Sequence, residues 1–260
     1  MKLNKYIDHT KLGPTVTIKD IKKLTDEAKE YDFKSVCVDP IYVSYAKKQL
    51  KETDVLVCTV VGFPAGTHDV SVKVLETEKA INDGADEIDM VINQNALINN
   101  DFDIVLNEIK AIKKVCAKKV LKVIIETVNL TDDLKIKACE LAKQAGADFV
   151  KTSTGFAGGG ATIADIKLMR KTVGPNFGVK ASGGIRTYKD AIDMINAGAT
   201  RIGASSGINI IKQKGNDLDD TNTTYWPKRQ KLNRQNSFNA WRSTESEIYC
   251  RNLFKRRYSN

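Results

Sequence analysis

Short runs of β-branched and apolar residues recur along the chain, separated by amphipathic stretches. The runs predict strands near Tyr6–His9, Ser35–Val38, Val55–Val60, Glu87–Val91, Leu121–Glu126, Phe149–Thr152, Gly178–Ala181 and Arg201–Gly203. Between them, apolar residues at helical spacing predict helices over Ile18–Tyr31, Val70–Asp83, Phe102–Ala117, Leu134–Ala145, Ile163–Thr172 and Lys189–Ala197. Val55-Leu-Val-Cys-Thr-Val-Val61 is almost continuously apolar, as a parallel strand covered on both faces should be.

A weak internal repeat supports the alternation. Gly84-Ala85-Asp86, Gly146-Ala147-Asp148 and Gly198-Ala199-Thr200 each close a helix and open a strand. Glycine suits the left-handed position after a helix, and alanine allows a tight turn. Eight strand–helix units in about 215 residues fit a single-domain α/β (β/α)8 TIM barrel at the small end of its range. The rival is a doubly wound open sheet, which often carries a GxGxxG turn after its first strand; none is present.

Composition divides the chain. The 260 residues carry a formal charge of +9. Residues 221–260 account for +7 of it, contain no glycine or valine, and hold both tryptophans. Residues 1–215 therefore read as the barrel domain. Residues 216–260 read as an atypical basic tail, disordered or loosely attached, with an RNA- or membrane-binding arm as the alternative. A near-neutral body gives no reason to expect nucleic acid. No run is apolar and long enough to span a bilayer, and no secretory leader is evident. The five cysteines show no paired spacing and the two histidines no ligand cluster. The expectation is a reduced cytoplasmic protein without a metal.

The chemistry lies in two lysines. Lys151, in Asp148-Phe-Val-Lys-Thr-Ser-Thr-Gly155, and Lys180, in Gly178-Val-Lys-Ala-Ser-Gly-Gly184, each sit in a strand that runs into a small-residue loop. Lysine inside a strand is costly unless paired or used. On adjacent sixth and seventh strands the two would be close neighbours. An amine nucleophile must be neutral, yet only about one free lysine in 2,500 is neutral at pH 7. A second cation at about 4 Å, at an effective dielectric near 20, disfavours the charged form by about 4 kcal/mol. Repulsion from Lys180 is therefore expected to activate Lys151; the alternative is a structural salt bridge for each. Asp89, inside an apolar strand, either pairs with a lysine or moves a proton through water. Asp8 either orients Lys180 or caps the turn before Thr10.

Loops after the seventh and eighth strands commonly hold phosphate in this fold. Here they contain Gly183, Gly184, Gly203, Ser205 and Ser206, with Thr154 and Gly155 after the sixth strand completing the cradle. Gly158-Gly159-Gly160 reads as a flexible connector, Cys37 and Cys58 as buried inert thiols, and His68 as a loop residue able to face substrate.

Tyr6-Ile-Asp-His-Thr10, Val60-Val-Gly-Phe-Pro64, Gly84-Ala-Asp-Glu-Ile-Asp-Met-Val-Ile92, Val123-Ile-Ile-Glu-Thr127, the two lysine motifs and Arg201-Ile-Gly-Ala-Ser-Ser206 resemble the deoxyribose-phosphate aldolase family. The resemblance runs from about Tyr6 to Ile211. It implies a class I aldolase without metal or organic cofactor, reversibly cleaving 2-deoxy-D-ribose 5-phosphate to D-glyceraldehyde 3-phosphate and acetaldehyde. It also implies that Lys151 forms the Schiff base, Lys180 lowers its proton affinity, and Asp89 is the general acid/base. The family acts in the cytoplasm in deoxynucleoside catabolism, usually as a homodimer or other small homo-oligomer. Where the family usually continues Leu-Leu-Lys-Pro, this chain has Lys11-Leu12-Gly13-Pro14. Another imine-forming, phosphate-binding barrel of transaldolase type, and a catalytically impaired barrel, remain the alternatives.

Overall fold

The computed structural model describes residues 2–213; the expected tail and its boundary at 216 lie outside them. The chain runs β1 (Ile7–Lys11), α1 (Ile18–Glu30), β2 (Ser35–Val38), α2 (Val43–Gln49), β3 (Leu56–Val61), α3 (Val70–Asn82), β4 (Glu87–Val91), α4 (Gln94–Ile98) and α5 (Phe102–Cys116). It continues with β5 (Val120–Ile124), α6 (Asp132–Gln144), β6 (Phe149–Lys151), α7 (Ile163–Val173), β7 (Gly178–Ser182), α8 (Tyr188–Ala197), β8 (Arg201–Ala204) and α9 (Gly207–Gln213). All strand pairings are parallel and follow chain order, and β1 also pairs with β8, closing the barrel.

Every expected strand and helix is present within two residues at either end. α2, α4 and α9 are not among the expected helices. α2 and α4 each bury only two apolar side chains, Val43 and Ala46 or Ala96 and Leu97, and α9 buries only Ile210, too few to write a helical stripe in sequence. Helix starts are fixed by short polar side chains. Thr17 and Thr187 form capping boxes with Asp20 and Asp190, and Thr131 and Thr162 accept from the first-turn backbone.

The internal repeat has a structural meaning. Gly84, Gly146 and Gly198 take φ of 105°, 79° and 119°. The following alanine N–H turns back to the helix, Ala85 to the Ala80 carbonyl at 3.0 Å and Ala147 to that of Ala142 at 3.1 Å. The third residue then ties the new strand to the previous one. Asp86 accepts from the Val57 N–H at 3.0 Å, Asp148 from Leu121 at 2.8 Å and Thr200 from Val179 at 3.1 Å.

Alternation along the strands divides the molecule into two layers. Ile88, Met90, Val123, Val150, Val179, Ala181 and Ile202 belong to the continuous apolar shell shared with the helices. Their alternate neighbours face the barrel axis, and that inner layer is largely ionic. Arg201 on β8 crosses it to make two hydrogen bonds to Glu87 on β4, at 3.0 and 3.1 Å, and one to Asp8 on β1 at 2.7 Å. Lys122 on β5 reaches Glu87 at 2.6 Å. Buried charges survive only when paired in this way, and these pairs staple distant staves together. On the same side Gly178 faces the Phe149 ring: an added Cβ would lie 2.2 Å from it, and that ring lies under the Arg201 guanidinium. Gly178→Ala is expected to overpack this spot and lower Tm by roughly 3–10 °C in a calorimetric scan. An unchanged Tm would mean the ring moves aside freely.

Candidate active site

Lys151 ends β6, Lys180 lies mid-strand in β7, and the two are register partners. Between their ammonium groups stands Asp89. Its Oδ2 accepts from Lys151 Nζ at 2.8 Å and from Lys180 Nζ at 2.7 Å, while Oδ1 accepts from Lys122 Nζ at 2.8 Å. Asp8 closes the other side, with Oδ2 at 2.5 Å from Lys180 Nζ and Oδ1 accepting from Ser35 and Arg201. All four side chains expected to carry the chemistry therefore meet, and all are buried.

The electrostatics differ from the bare repulsion expected of two neighbouring lysines. A carboxylate lies between them, so much of the repulsion is screened locally. The whole cluster has four cations (Lys122, Lys151, Lys180, Arg201) against three carboxylates (Asp8, Glu87, Asp89), one positive charge in excess. Lys122, Lys180 and Arg201 each touch two carboxylates. Lys151 touches one oxygen and shares it, so it is the amine least tied down. Burial would raise the Asp89 carboxyl, but Lys122, Lys151 and Lys180 more than offset that and hold it well below the usual range. The Asp8 carboxyl is likewise low, because Lys180, Arg201 and Lys122 outweigh its burial. Burial would lower Lys180, yet Asp8 and Asp89 raise it above an ordinary lysine. Lys180 is thus a held cation.

Lys151 is also the one lysine of this cluster that lines a cavity, of about 340 Å³, at the C-terminal end of the strands. Thr154, Gly155, Gly183, Gly184, Gly203 and Ser205 form its walls. Gly183 and Gly184 both have positive φ, 84° and 80°, a turn that favours glycine. An added Cβ on Gly203 would press on Lys180 Cε at 3.0 Å. Ser206 is placed elsewhere: it lines a second cavity with His9, Glu27 and Lys212, while Ser205 borders both. Thr154 is in the wall, but its N–H and hydroxyl both donate to Glu126 Oε2, at 3.0 and 2.5 Å; its donors are already used. His68 does not line this cavity: it is exposed, 3.2 Å from Glu76, and borders a separate pocket between α3 and α5. The three glycines at 158–160 are more than a connector. A Cβ on Gly160 would lie 2.4 Å from the Gly183 carbonyl, and Ala161 N–H bonds to the Ser182 and Gly183 carbonyls.

Lys122, Glu87 and Arg201 were not singled out from the sequence, although Lys122 sits in an apolar strand just as Lys151 does. The cost of burying a lysine in a strand marks both residues equally. Lys11, at the end of β1, and Arg186, in the loop after β7, also line the cavity; exposed charges such as these carry no such signal. Among the described residues Cys37, Cys58 and Asp89 bring three possible metal-ligand atoms within 4.8 Å. Lys122 Nζ stands 3.4 Å from Cys58 Sγ and 2.8 Å from Asp89 Oδ1, so an ammonium already occupies the position a cation would need. Burial pushes the Cys58 thiol up, which further disfavours ligation.

Residues 2–213 match the family described as DeoC/LacD family aldolase. The deoxyribose-phosphate aldolase of Streptococcus suis is 59% identical over 219 residues, covering 84% of this chain and 100% of the relative. That of Macrococcus caseolyticus is 59% identical over 212 residues, covering 82% and 96%. The tetrameric deoxyribose phosphate aldolase of Aeropyrum pernix superposes with a TM-score of 0.77 at 32% identity, covering 82% of this chain and 91% of that one. No helix among the described residues is long and apolar enough to cross a membrane. With a closed barrel, a lysine cluster inside it and these matches, the chain belongs to the DeoC/LacD family of aldolases.

Proposed function

We propose that the protein cleaves 2-deoxy-D-ribose 5-phosphate reversibly to D-glyceraldehyde 3-phosphate and acetaldehyde, with Lys151 as the Schiff-base lysine. The observation that carries this reading is the position of Lys151 Nζ: it opens onto a cavity of substrate size while sharing one carboxylate oxygen with Lys180.

The neutral amine adds to the C1 aldehyde of the open-chain sugar, and loss of water leaves an iminium. The C3 hydroxyl gives up its proton, the C2–C3 bond breaks, and its electron pair flows to the iminium nitrogen. Glyceraldehyde 3-phosphate departs, leaving an enamine. Protonation at C2 regenerates an iminium, and water releases acetaldehyde and the free lysine. Asp89 is ionised and bonded to both lysines. With a water it can take the hydroxyl proton and return it to carbon. Lys180, held by Asp8 and Asp89, keeps positive charge beside the reacting nitrogen. Asp8 is the positioning group for Lys180. Backbone around Gly155, Gly183, Gly184, Gly203 and Ser205 is the phosphate cradle, with Lys11 and Arg186 as cations at its mouth. A homodimer or other small homo-oligomer belongs to the same reading.

The test is borohydride reduction in the presence of acetaldehyde. Imine formation and reduction should add one ethyl group, located by peptide mass spectrometry on Lys151. Folded protein that gains no ethyl group, or gains it on another lysine, would overturn the assignment.

A further inference from the structure

We infer that Glu126 is a positioning residue that sets the preference for phosphorylated over unphosphorylated substrate. It does so by locking the turn that follows Lys151. This inference rests on the phosphate reading of the cavity given above.

Glu126 sits just past β5, on the neighbour of the strand that carries Lys151. Its backbone is left-handed, φ 57°, a conformation that L-residues avoid without glycine's freedom. The twist has a consequence. The flanking residues stay paired with the reactive strand, Ile125 N–H to the Lys151 carbonyl at 3.0 Å and Thr127 N–H to the Thr152 carbonyl at 2.9 Å. The side chain then extends the ladder one step further. Its Oε2 takes both donors of Thr154, and the Thr154 hydroxyl in turn accepts from Phe156 N–H at 3.1 Å. Gly155, at φ 86°, is thereby held from both sides, and it lines the cavity beside Lys151.

A carboxylate is an expensive choice here. Glu126 is 1% exposed, and its Oε1 has no hydrogen-bond partner. Among the described residues it makes no ion pair. A negative charge near a phosphate cradle also opposes the anion. Charge-assisted bonds to a hydroxyl and an amide on one oxygen are the compensating feature, and what they fix is the shape of the Thr154–Phe156 turn. That turn bears on the phosphate end of the substrate, while the amine end is fixed by β6 and Asp89. The two ends should therefore respond differently.

In Glu126→Ala, KM for deoxyribose 5-phosphate is expected to rise at least about tenfold, with kcat within about threefold. Cleavage of unphosphorylated deoxyribose should keep its kcat/KM within about threefold. Glu126→Gln should recover most of the KM, because an amide oxygen can still accept from Thr154. Thr154→Val should shift KM in the same direction, and adding it to Glu126→Ala should cost little more. If the alanine variant does not fold, Thr154→Val carries the test, raising KM more for the phosphorylated than for the unphosphorylated substrate, with Glu126→Gln as the near-parent control. Equal losses on both substrates, or no loss on either, overturn the inference. A parent protein that forms no acetaldehyde adduct on Lys151 sinks the aldolase reading and this inference together. An adduct with indiscriminate losses sinks this inference alone.

Discussion

Lys151→Ala is expected to reduce turnover by at least about 10⁴-fold and to remove the acetaldehyde–borohydride adduct entirely. The size follows from the loss of the covalent step itself, since variants that lack a nucleophile commonly fall by several orders of magnitude. Stability should change little. Removing this cation takes the buried cluster from one excess positive charge to neutrality, and Asp89 keeps both Lys122 and Lys180. A protein that folds normally, with an unaltered melting curve and no activity, is therefore the expected result. Glyceraldehyde 3-phosphate release in a coupled assay, run beside the trapping experiment, measures it. Residual activity within tenfold of the parent would mean that another amine carries the carbonyl.

The barrel was legible because its physics is local. Apolar runs with helical stretches between them, and a Gly-Ala-Asp turn recurring at the strand starts, need no tertiary knowledge to read. The same holds for Lys151 and Lys180, since a lysine within a buried strand asks for an explanation wherever it occurs. The compensation around them was not legible. Asp89 faces Lys122 by register, but its contact with Lys180 crosses the barrel interior. Arg201 joins staves β1 and β4 from β8. Such partners are separated by as many as 193 residues and are fixed by barrel shear, which no short window of sequence encodes. Gly160 escaped for a similar reason: what forbids a side chain there is a carbonyl from another loop. Thr154 reads from sequence as a phosphate-cradle residue, yet both its donors are held by Glu126, a partner 28 residues away that no local pattern marks.

Lys180→Leu tests the electrostatic part of the mechanism, and two observables separate its possible roles. The cluster would then hold three cations and three carboxylates, and the proton on Lys151 would be needed for neutrality. A bare cation at about 4 Å would give a fall on the order of 10³-fold; with Asp89 between the two ammonium groups, kcat/KM at pH 7 should fall on the order of 10²-fold. The acid limb of its pH profile should move to higher pH. Stability should also fall, by about 1–3 kcal/mol, because Asp8 Oδ2 loses its partner inside the barrel while Oδ1 keeps Arg201. Lys180 is raised above its unfolded value, so its contribution is fully present below about pH 10 and lost as pH climbs through the folded value. The gap between parent and variant in denaturant titrations should hold steady from neutrality to about pH 10 and narrow beyond it. A purely structural salt bridge predicts the stability loss with a near-normal rate. A simple proton carrier predicts the rate loss with an unmoved acid limb. Only a held cation that biases the protonation of its neighbour predicts the rate loss, the displaced limb and the stability loss together.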